Sequence, residues 1–332
     1  MAVRNGERYL QPLLDSLLRQ TRAPLELVVT EDASEDSTPA MLDAFAAAAP
    51  FPVRVERLAE RGGHVEGFMR AVRRCRGEIV AFCDGDDVWR DEKLEVCGRE
   101  MEQAGASVVL HSARVVDGEL VDLGYDWPPV GPTRTVPPLG LTALDVAAPS
   151  MALLFRRDLL DVADFDARPP SRYGHGWRML NDEWVIFLGG VVGPIRLLAD
   201  PLVLYRRHGA NDSLGPLAPG RRSTLRPAVG DYRRAAEHTA GCADYLEGAV
   251  ATSPAYADRL AAGADHYRRA SRNWALRASL YEAGSRRARA RAMRRLVADG
   301  GYAPRSTGAF GRAALGKDLA AGVALRLHGS DD

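Results

Sequence analysis

The sequence predicts an α/β protein with a Rossmann-like, mainly parallel sheet flanked by helices, followed by a helical C-terminal extension. Short apolar runs alternate with helical patterns, which predicts the sheet, and acidic residues directly follow two of these runs, at what would be its edge. A third observation predicts the extension, because the last third of the chain is rich in Ala and Arg and poor in β-branched residues.

The composition is that of a globular protein. With 332 residues, 46% of them hydrophobic and 27% charged, the chain can bury one large core, with or without an appendage. The four cysteines lack CxxC spacing, so neither a disulfide framework nor a zinc site is indicated. The sequence contains no apolar run of the roughly 18 residues that span a membrane and no signal-peptide pattern, so we expect a cytoplasmic protein.

Charge is unevenly distributed, although the formal net charge is zero. Residues 221–332 contain 20 Lys and Arg against 11 Asp and Glu, whereas residues 1–220 contain 24 against 33. This difference indicates two segments with different functions. We expect a sheet domain at 1–215, a linker at 216–227 and a helical extension at 222–332.

The elements of the sheet domain alternate in order along the chain. Leucines between residues 7 and 20 recur with the spacing of a helix that packs one face on a core. The apolar run 25–30 is typical of a buried parallel strand. The further predicted helices lie near 41–45, 65–72, 91–103 and 181–188, and the further strands at 53–58, 78–83, 106–111, 195–198 and 202–205.

Two regions complete the prediction. Residues 118–150 are rich in Pro and Gly and indicate a long loop, a candidate lid or acceptor-binding segment. In the extension, residues 232–246 and 255–297 indicate antiparallel helices, and residues 310–327 a moderately apolar one.

Acidic residues follow two predicted strands where each strand ends. Glu31 and Asp32 follow the first, and Asp84, Asp86 and Asp87 follow the strand at 78–83. Ligands of such sheets bind beyond the carboxyl ends of the strands, so both clusters should share one edge. Three carboxylates within four positions repel one another, and a divalent cation with oxygen ligands, Mg²⁺, Mn²⁺ or Ca²⁺, would compensate. A solvated turn or partial calcium loop would have the same spacing.

Several motifs carry a family resemblance. They are MAVRNGERYLQPLLDSLLRQ, LELVVTEDASEDST, GEIVAFCDGDDVWRDEKLE, NDEWVIFL and DPLVLYRRHGAN. In this order, over residues 1 to about 211, they resemble inverting family 2 glycosyltransferases of GT-A fold, particularly the bacterial rhamnosyltransferase-like members. The resemblance implies an enzyme that moves a sugar from a nucleotide-diphosphate sugar to an acceptor hydroxyl with Mg²⁺ or Mn²⁺ as cofactor.

The resemblance also implies a metal site. Asp86, the third residue of the Asp-x-Asp signature, would ligate the cation that bridges the two phosphates. His208 falls where these enzymes often place a further protein ligand. A lone His is more often a hydrogen-bonded structural residue, and that alternative stays open.

Nucleotide-sugar contacts are implied at five positions. Ala2 and Arg4 follow the family's first strand, Asp32 would bind the base or ribose, and Asp84 would contact the ribose or reach the metal through water. Gly63 lies where donor-sugar contacts are expected. Asp32 alternatively caps the next helix, since Asp is a preferred capping residue.

Asp182 lies at the position where the family has its general base, and the adjacent Glu183 is the alternative base. Trp89 and Trp184, with Glu183, are candidates for the acceptor or sugar pocket, because flat apolar rings stack on sugar faces. Core packing explains Trp89 equally well.

Departures from the family pattern keep a second function class open. Members begin several residues earlier with a Val/Ile-rich strand, of which residues 1–3 remain, so we expect a truncated strand and a start upstream of Met1. Glu31 and Ala33 replace a usual Asp and Gly, and Arg61 and Gly67 stand where Asn is common.

The alternative to a glycosyltransferase is a catalytically silent nucleotide-sugar-binding or scaffold protein. A nucleotidyltransferase would need a Gly-rich, Lys-bearing phosphate loop, which the sequence lacks.

The C-terminal extension carries a basic helical stretch at 286–295 with six arginines. A solvated appendage is one interpretation. Peripheral contact with the inner face of the cell membrane is the other, because clustered cations gain roughly 1 kcal/mol each near anionic lipid. Nucleic acid is not indicated, since no aromatic-interleaved basic motif is present. The expected partners are the sugar donor and a saccharide or lipid-linked acceptor, in cell-wall polysaccharide or glycoconjugate assembly.

Overall fold

The computed structural model describes residues 1–141, 148–173, 176–209, 211, 229–304, 309–311, 314–316 and 318–319. The chain divides into two compact units. Unit 1 consists of Met1–Asp161 and Leu180–Arg222, and unit 2 of Val162–Met179 and Ser223–Asp332. The sequence analysis placed a single boundary near residue 215, whereas the structure also groups Val162–Met179 with the C-terminal helices.

Unit 1 is built from alternating strands and helices. Its strands are β1 (Ala2–Val3), β2 (Leu27–Glu31), β3 (Val53–Arg57), β4 (Ile79–Ala81), β5 (Val88–Trp89), β6 (Val108–Asp117), β7 (Asp122–Trp127), β8 (Arg134–Val136), β9 (Leu153–Arg156) and β10 (Ile195–Arg207). Its helices are α1 (Leu10–Leu18), α2 (Thr38–Ala48), α3 (His64–Arg74), α4 (Lys93–Ala104), α5 (Leu159–Val162), which ends at the border of the unit, and α6 (Asn181–Val192).

Two sheets are linked at β1. The smaller sheet has the order β1-β2-β3 and is parallel. The larger sheet has the order β4-β9-β6-β10-β5, with β7 on β6 and β8 on β10, and in it β6 and β10 pair in parallel. An isolated parallel bridge joins Ala2 to Asp84, just past β4. Although β1 has only two residues, it therefore lies between the carboxyl end of β2 and the residues that follow β4.

The predicted α/β class and the helical C-terminal region are confirmed, but one predicted loop was wrong. β7 and β8 lie within residues 118–150, and residues 142–147 lie outside the described part of the chain. Both strands are largely exposed at the margin of the sheet, so they lack the apolar alternation that marks a half-buried strand. The two strands predicted at 195–198 and 202–205 are a single strand, β10, whose register shifts around Pro201.

The core of unit 1 forms around α6, in which every residue except Asp182 is buried. A Cβ atom added at Gly189 would lie 2.3 Å from Cγ2 of Val108, so the helix approaches β6 more closely than any other residue type would allow. The hydroxyl of Ser107 donates a hydrogen bond to the carbonyl of Gly189 at 2.7 Å. This contact holds α6, and with it Asp182, against the sheet.

Unit 2 contains α7 (Val229–Val250), α8 (Ala257–Glu282) and α9 (Arg286–Ala298). α7 and α8 pack along each other, and the hydroxyl of Ser285 caps α9 by accepting the N–H of Ala288. The carboxylate of Asp318 is buried and accepts hydrogen bonds from Arg277, Tyr281 and Tyr302. The predicted linker 216–227 and most of the predicted helix 310–327 fall outside the described residues.

The part of the chain that the structure describes contains no helix that could cross a membrane. None of the helices there combines the length and the apolar character that crossing a bilayer requires.

Gly189→Ala should lower the free energy of unfolding by about 1–3 kcal/mol, because the added methyl group forces α6 away from β6. Thermal and urea unfolding measure the change. Gly248→Ala in α7 is the control, since nothing lies within 4 Å of its added Cβ and alanine favours a helix by about 1 kcal/mol. Equal effects of the two substitutions would contradict the close packing of α6.

Candidate active site

The edge of unit 1 that carries the acidic residues is organised around β1. Ala2 pairs with Thr30 of β2 on one side and bridges to Asp84 on the other. The N–H of Asp32 donates to the carbonyl of Val3 at 2.9 Å, which extends the pairing. Asp32 and Asp84 therefore lie at one edge, on either side of β1.

The carboxylate of Asp32 is buried and engaged with the backbone of the loop before α3. It accepts the N–H groups of Gly62 at 2.5 Å and Gly63 at 3.0 Å. Gly63 has a φ of +88°, in the left-handed region that favours glycine. The N–H of Thr38, which begins α2, is bound by Asp36 instead, so Asp32 does not cap that helix. Asp32 holds the loop in which donor-sugar contacts were predicted.

Arg4 lies at the rim of this edge. Its guanidinium forms a 3.2 Å ion pair with Glu35, in the turn that follows β2, and Glu35 is largely exposed. The next residue, Asn5, donates its N–H to Ser34 Oγ at 2.9 Å. The chain after β1 is thus fixed to the turn after β2.

The three carboxylates of the acidic loop, defined as residues 84–87, have different surroundings. Asp87 is buried and accepts the N–H of Arg206 at 2.9 Å, whereas its Oδ2 has no hydrogen-bond partner among the described residues. Burial, with the charges of Asp86 and Asp84, raises the pKa of Asp87 well above its ordinary value. Burial of the Asp84 carboxyl group, followed by the charges of Asp86 and Asp182, raises the pKa of Asp84 to about 7.

Asp86 faces the end of β10. Its Oδ2 lies 2.9 Å from Nε2 of His208 and accepts a hydrogen bond from Nδ2 of Asn211 at 3.1 Å. The His208 ring stacks on the ring of Tyr9 with 4.4 Å between their centroids. The fold therefore brings together the two residues that were predicted to ligate a metal.

The donor set fits Mg²⁺ or Mn²⁺. Carboxylate oxygen and imidazole nitrogen are ligands that such ions accept, and Oδ2 of Asp86 and Nε2 of His208 lie close enough to share one ion. The described residues contain no group of three or more His, Cys, Asp or Glu side chains that could hold a metal. The protein would thus supply two ligands, with phosphate oxygens and water as the others, which is a common arrangement for Mg²⁺.

Asp182 and Glu183 begin α6 but differ in environment. Asp182 is partly exposed, accepts the N–H of Glu183 at 2.7 Å, and acts electrostatically on Asp84. Glu183 is buried, and its carboxylate accepts the N–H of Leu180 at 3.1 Å, which caps the helix. Of the two candidate bases, Asp182 is therefore the more accessible to an acceptor.

Trp89 and Trp184 both lie in the core of unit 1. Trp184 is 0% exposed and Trp89 is 4% exposed. The ammonium of Lys93 lies 3.7 Å from the centre of the Trp89 ring. In this structure neither ring offers a face to a sugar, and core packing, the alternative considered for Trp89, describes both positions.

Lys93, a cation near the acidic loop, was not predicted. Its ammonium is fully buried and donates to the carbonyl of Met151 at 2.7 Å. Burial lowers the pKa of Lys93 to about 8, against the opposing influence of nearby acidic groups that include Asp87 and Asp84. In the sequence, Lys93 has the pattern of an ordinary solvated residue at the start of a helix.

Arg206 is a second cation that sequence reasoning missed. It is 4% exposed, and its Nε and Nη1 atoms donate to the carbonyls of Asp86 at 2.7 Å and Gly118 at 2.8 Å. Its guanidinium also lies 4.8 Å from the centre of the Tyr9 ring. In the sequence, the position of Arg206 close to His208 was the one feature that could have indicated a role at this site.

A comparison with known protein families finds a match to the first half of the chain. Residues 1–162 match the family described as "Glycosyl transferase family 2". Over these residues, which contain the acidic loop, the chain is therefore similar to glycosyl transferase family 2, the family that the motifs resemble.

The curated relatives agree with this assignment. An uncharacterized glycosyltransferase of Nostoc sp. is 28% identical over 218 residues, covering 63% of this chain and 64% of that protein. Chondroitin synthase of Escherichia coli is 30% identical over 128 residues, covering 37% of this chain and 18% of that protein. The chain therefore spans less than two thirds of the length of either relative.

A solved structure supports the GT-A fold. TarS of S. aureus superposes with a TM-score of 0.50 at 17% sequence identity, covering 92% of this chain and 53% of that one. At this identity the likeness concerns the fold alone.

Asp84→Asn should raise the free energy of unfolding in the absence of divalent cations. The difference from wild type should increase between pH 4 and 7 and stay constant above pH 7. Because the folded protein raises the pKa of Asp84 from 3.8 to about 7, the unfolded chain releases this proton first, and the charged form destabilises the fold at higher pH. We expect about 1–3 kcal/mol at pH 8, measured by urea unfolding in a chelator.

The matched control is Asp43→Asn, which removes a carboxylate that pairs with Arg57 on the surface. It should change the free energy of unfolding by about 0.5 kcal/mol or less. A pH-independent gain for Asp84→Asn would contradict the electrostatic origin of the effect.

Proposed function

We propose that this protein is an inverting glycosyltransferase that transfers a hexosyl or deoxyhexosyl group from a nucleotide-diphosphate sugar to an acceptor hydroxyl, with Mg²⁺ or Mn²⁺ as cofactor. One observation carries the proposal: the carboxyl groups of Asp86 and Asp182 both lie near that of Asp84, so that their charges help to raise the pKa of Asp84. The match to glycosyl transferase family 2 and the relative named chondroitin synthase support a role in polysaccharide or glycoconjugate assembly.

In this proposal each acidic residue has a separate task. Asp182 accepts the proton of the acceptor hydroxyl as that oxygen attacks the anomeric carbon from the side opposite the diphosphate. The bond between this carbon and the diphosphate oxygen breaks, the nucleoside diphosphate leaves with the electron pair, and the configuration inverts. A base in this position typically contributes a factor of about 10²–10⁴. Asp86 and His208 hold the cation, which when bound neutralises charge on the leaving diphosphate. Ala2, Arg4, Asp32, Asp84 and Gly63 form the nucleotide-sugar edge.

Asp182→Asn should lower turnover by about 10²–10⁴-fold and change nucleotide affinity less than about twofold, because the base acts on the acceptor and not on the donor. Turnover is measured as nucleotide release from a panel of UDP-, GDP- and dTDP-sugars with Mn²⁺ or Mg²⁺. Asp86→Ala should instead weaken cation-dependent nucleotide binding.

Glu183→Gln separates the two candidate bases, since glutamine retains an oxygen for the N–H of Leu180 but cannot take a proton. Loss of turnover in Glu183→Gln with activity in Asp182→Asn would transfer the role to Glu183. Donor binding without hydrolysis or transfer by the wild type would favour the silent nucleotide-sugar-binding protein.

We also propose that α9 contacts an anionic membrane from the cytoplasmic side, where a lipid-linked acceptor would reside. Arg287, Arg291, Arg294 and Arg295 are exposed and recur at the spacing of one helix face, whereas Ala292 and Leu296 on the other side are buried. The described part of the helix contains no acidic side chain. Such a basic face fits acidic lipid headgroups.

Charge reversal of this face by Arg291→Glu with Arg294→Glu should reduce binding to vesicles of 30% phosphatidylserine in phosphatidylcholine by roughly tenfold or more, because each cation near the surface contributes roughly 1 kcal/mol. Vesicle sedimentation measures the loss. Arg90→Glu with Arg99→Glu, two exposed residues of unit 1, changes the net charge equally and should bind as wild type. Absence of binding by the wild type would refute the contact.

A further inference from the structure

Tyr9 stacks on a predicted metal ligand. It immediately precedes α1, and its ring lies against the imidazole of His208 at an interplanar angle of 27°. The Arg206 guanidinium lies 4.8 Å from the centre of the same ring. An imidazole that rests on a fixed aromatic face has fewer accessible rotamers, so its nitrogen atoms point in a defined direction.

Asn211 binds the same pair of residues by hydrogen bonds. Its Oδ1 accepts the backbone N–H of His208 at 2.7 Å. Its Nδ2 donates to Oδ2 of Asp86 at 3.1 Å and to the carbonyl of Arg206 at 3.0 Å. One amide side chain thus links the turn that carries the imidazole to the carboxylate that faces it.

These contacts meet a geometric need of the site. Asp86 and His208 belong to segments far apart in the chain, and each side chain alone can rotate. A cation with two protein ligands binds tightly only when Oδ2 of Asp86 and Nε2 of His208 both point at it. Groups that orient metal ligands in this way typically change metal affinity by about 10–100-fold. Arg206 fixes the backbone of Asp86 through a 2.7 Å hydrogen bond but does not contact the imidazole in this way.

We propose that Tyr9 and Asn211 are positioning residues, which hold His208 and Asp86 in the arrangement that binds the divalent cation. The inference rests on the proposed function, because it assumes that these two residues bind a cation. Tyr9 acts through the plane of its ring, and its hydroxyl is not needed for this task. Asn211 acts through both ends of its amide.

Direct binding of Mn²⁺, followed by the electron paramagnetic resonance of the free ion, tests the proposal without reference to activity. Tyr9→Leu should weaken Mn²⁺ binding by about tenfold, and Asn211→Ala by a similar factor. Tyr9→Phe keeps the stacking ring and should bind within about twofold of wild type. Circular dichroism and the melting temperature without metal establish that each variant is folded.

A double-mutant cycle shows whether Tyr9 acts through the imidazole. Tyr9→Leu should have no further effect on Mn²⁺ affinity in a His208→Ala background, since the group that it positions is then absent. Wild-type affinity in folded Tyr9→Leu and Asn211→Ala, or an equal additional loss in the His208→Ala background, would overturn the positioning role alone. Equal Mn²⁺ affinity of wild type and Asp86→Ala would instead refute the cation site of the proposed function. If Tyr9→Leu does not fold, Asn211→Ala still tests whether a residue that contacts both His208 and Asp86 positions them for the cation.

Discussion

Repulsion among carboxylates at one sheet edge is the constraint on which the site depends. Asp84 and Asp87 are driven toward their protonated forms by burial and by neighbouring charges. Two buried cations, Lys93 and Arg206, lie near these carboxylates and partly offset their charge. Burial of the Asp84 carboxyl group, followed by the charges of Asp86 and Asp182, nevertheless raises the pKa of Asp84 to about 7. The free energy that the free protein loses to this repulsion is therefore available to any divalent cation that binds there.

The sequence predicted the buried part of the fold well, for a physical reason. β2, β6 and α6 are enclosed by other elements, so they appear as dense apolar runs. β7 and β8 were not predicted, because both strands are largely exposed. Such a strand pairs with its neighbour through backbone hydrogen bonds and needs no alternation of apolar residues. Proline also misled the analysis, since β10 continues through Pro201 with a shifted register instead of ending there.

The candidate site shows the same division between pattern and packing. The acidic loop and His208 were found from motifs, because ligands must be of particular residue types. No pattern in the sequence indicates that Trp184 is fully buried or that Glu183 caps its own helix. Tyr9 and Lys93 were missed since their roles arise from contacts with residues remote in the chain. Such contacts exist only once the chain has folded.

The guanidinium and backbone amide of Arg206 together bind three points: the carbonyl of Asp86, the carboxylate of Asp87 and the carbonyl of Gly118. A loop restrained at so many points loses little conformational entropy when a ligand arrives. A nucleotide would then meet a surface whose shape already exists, and more of the interaction free energy would appear as affinity.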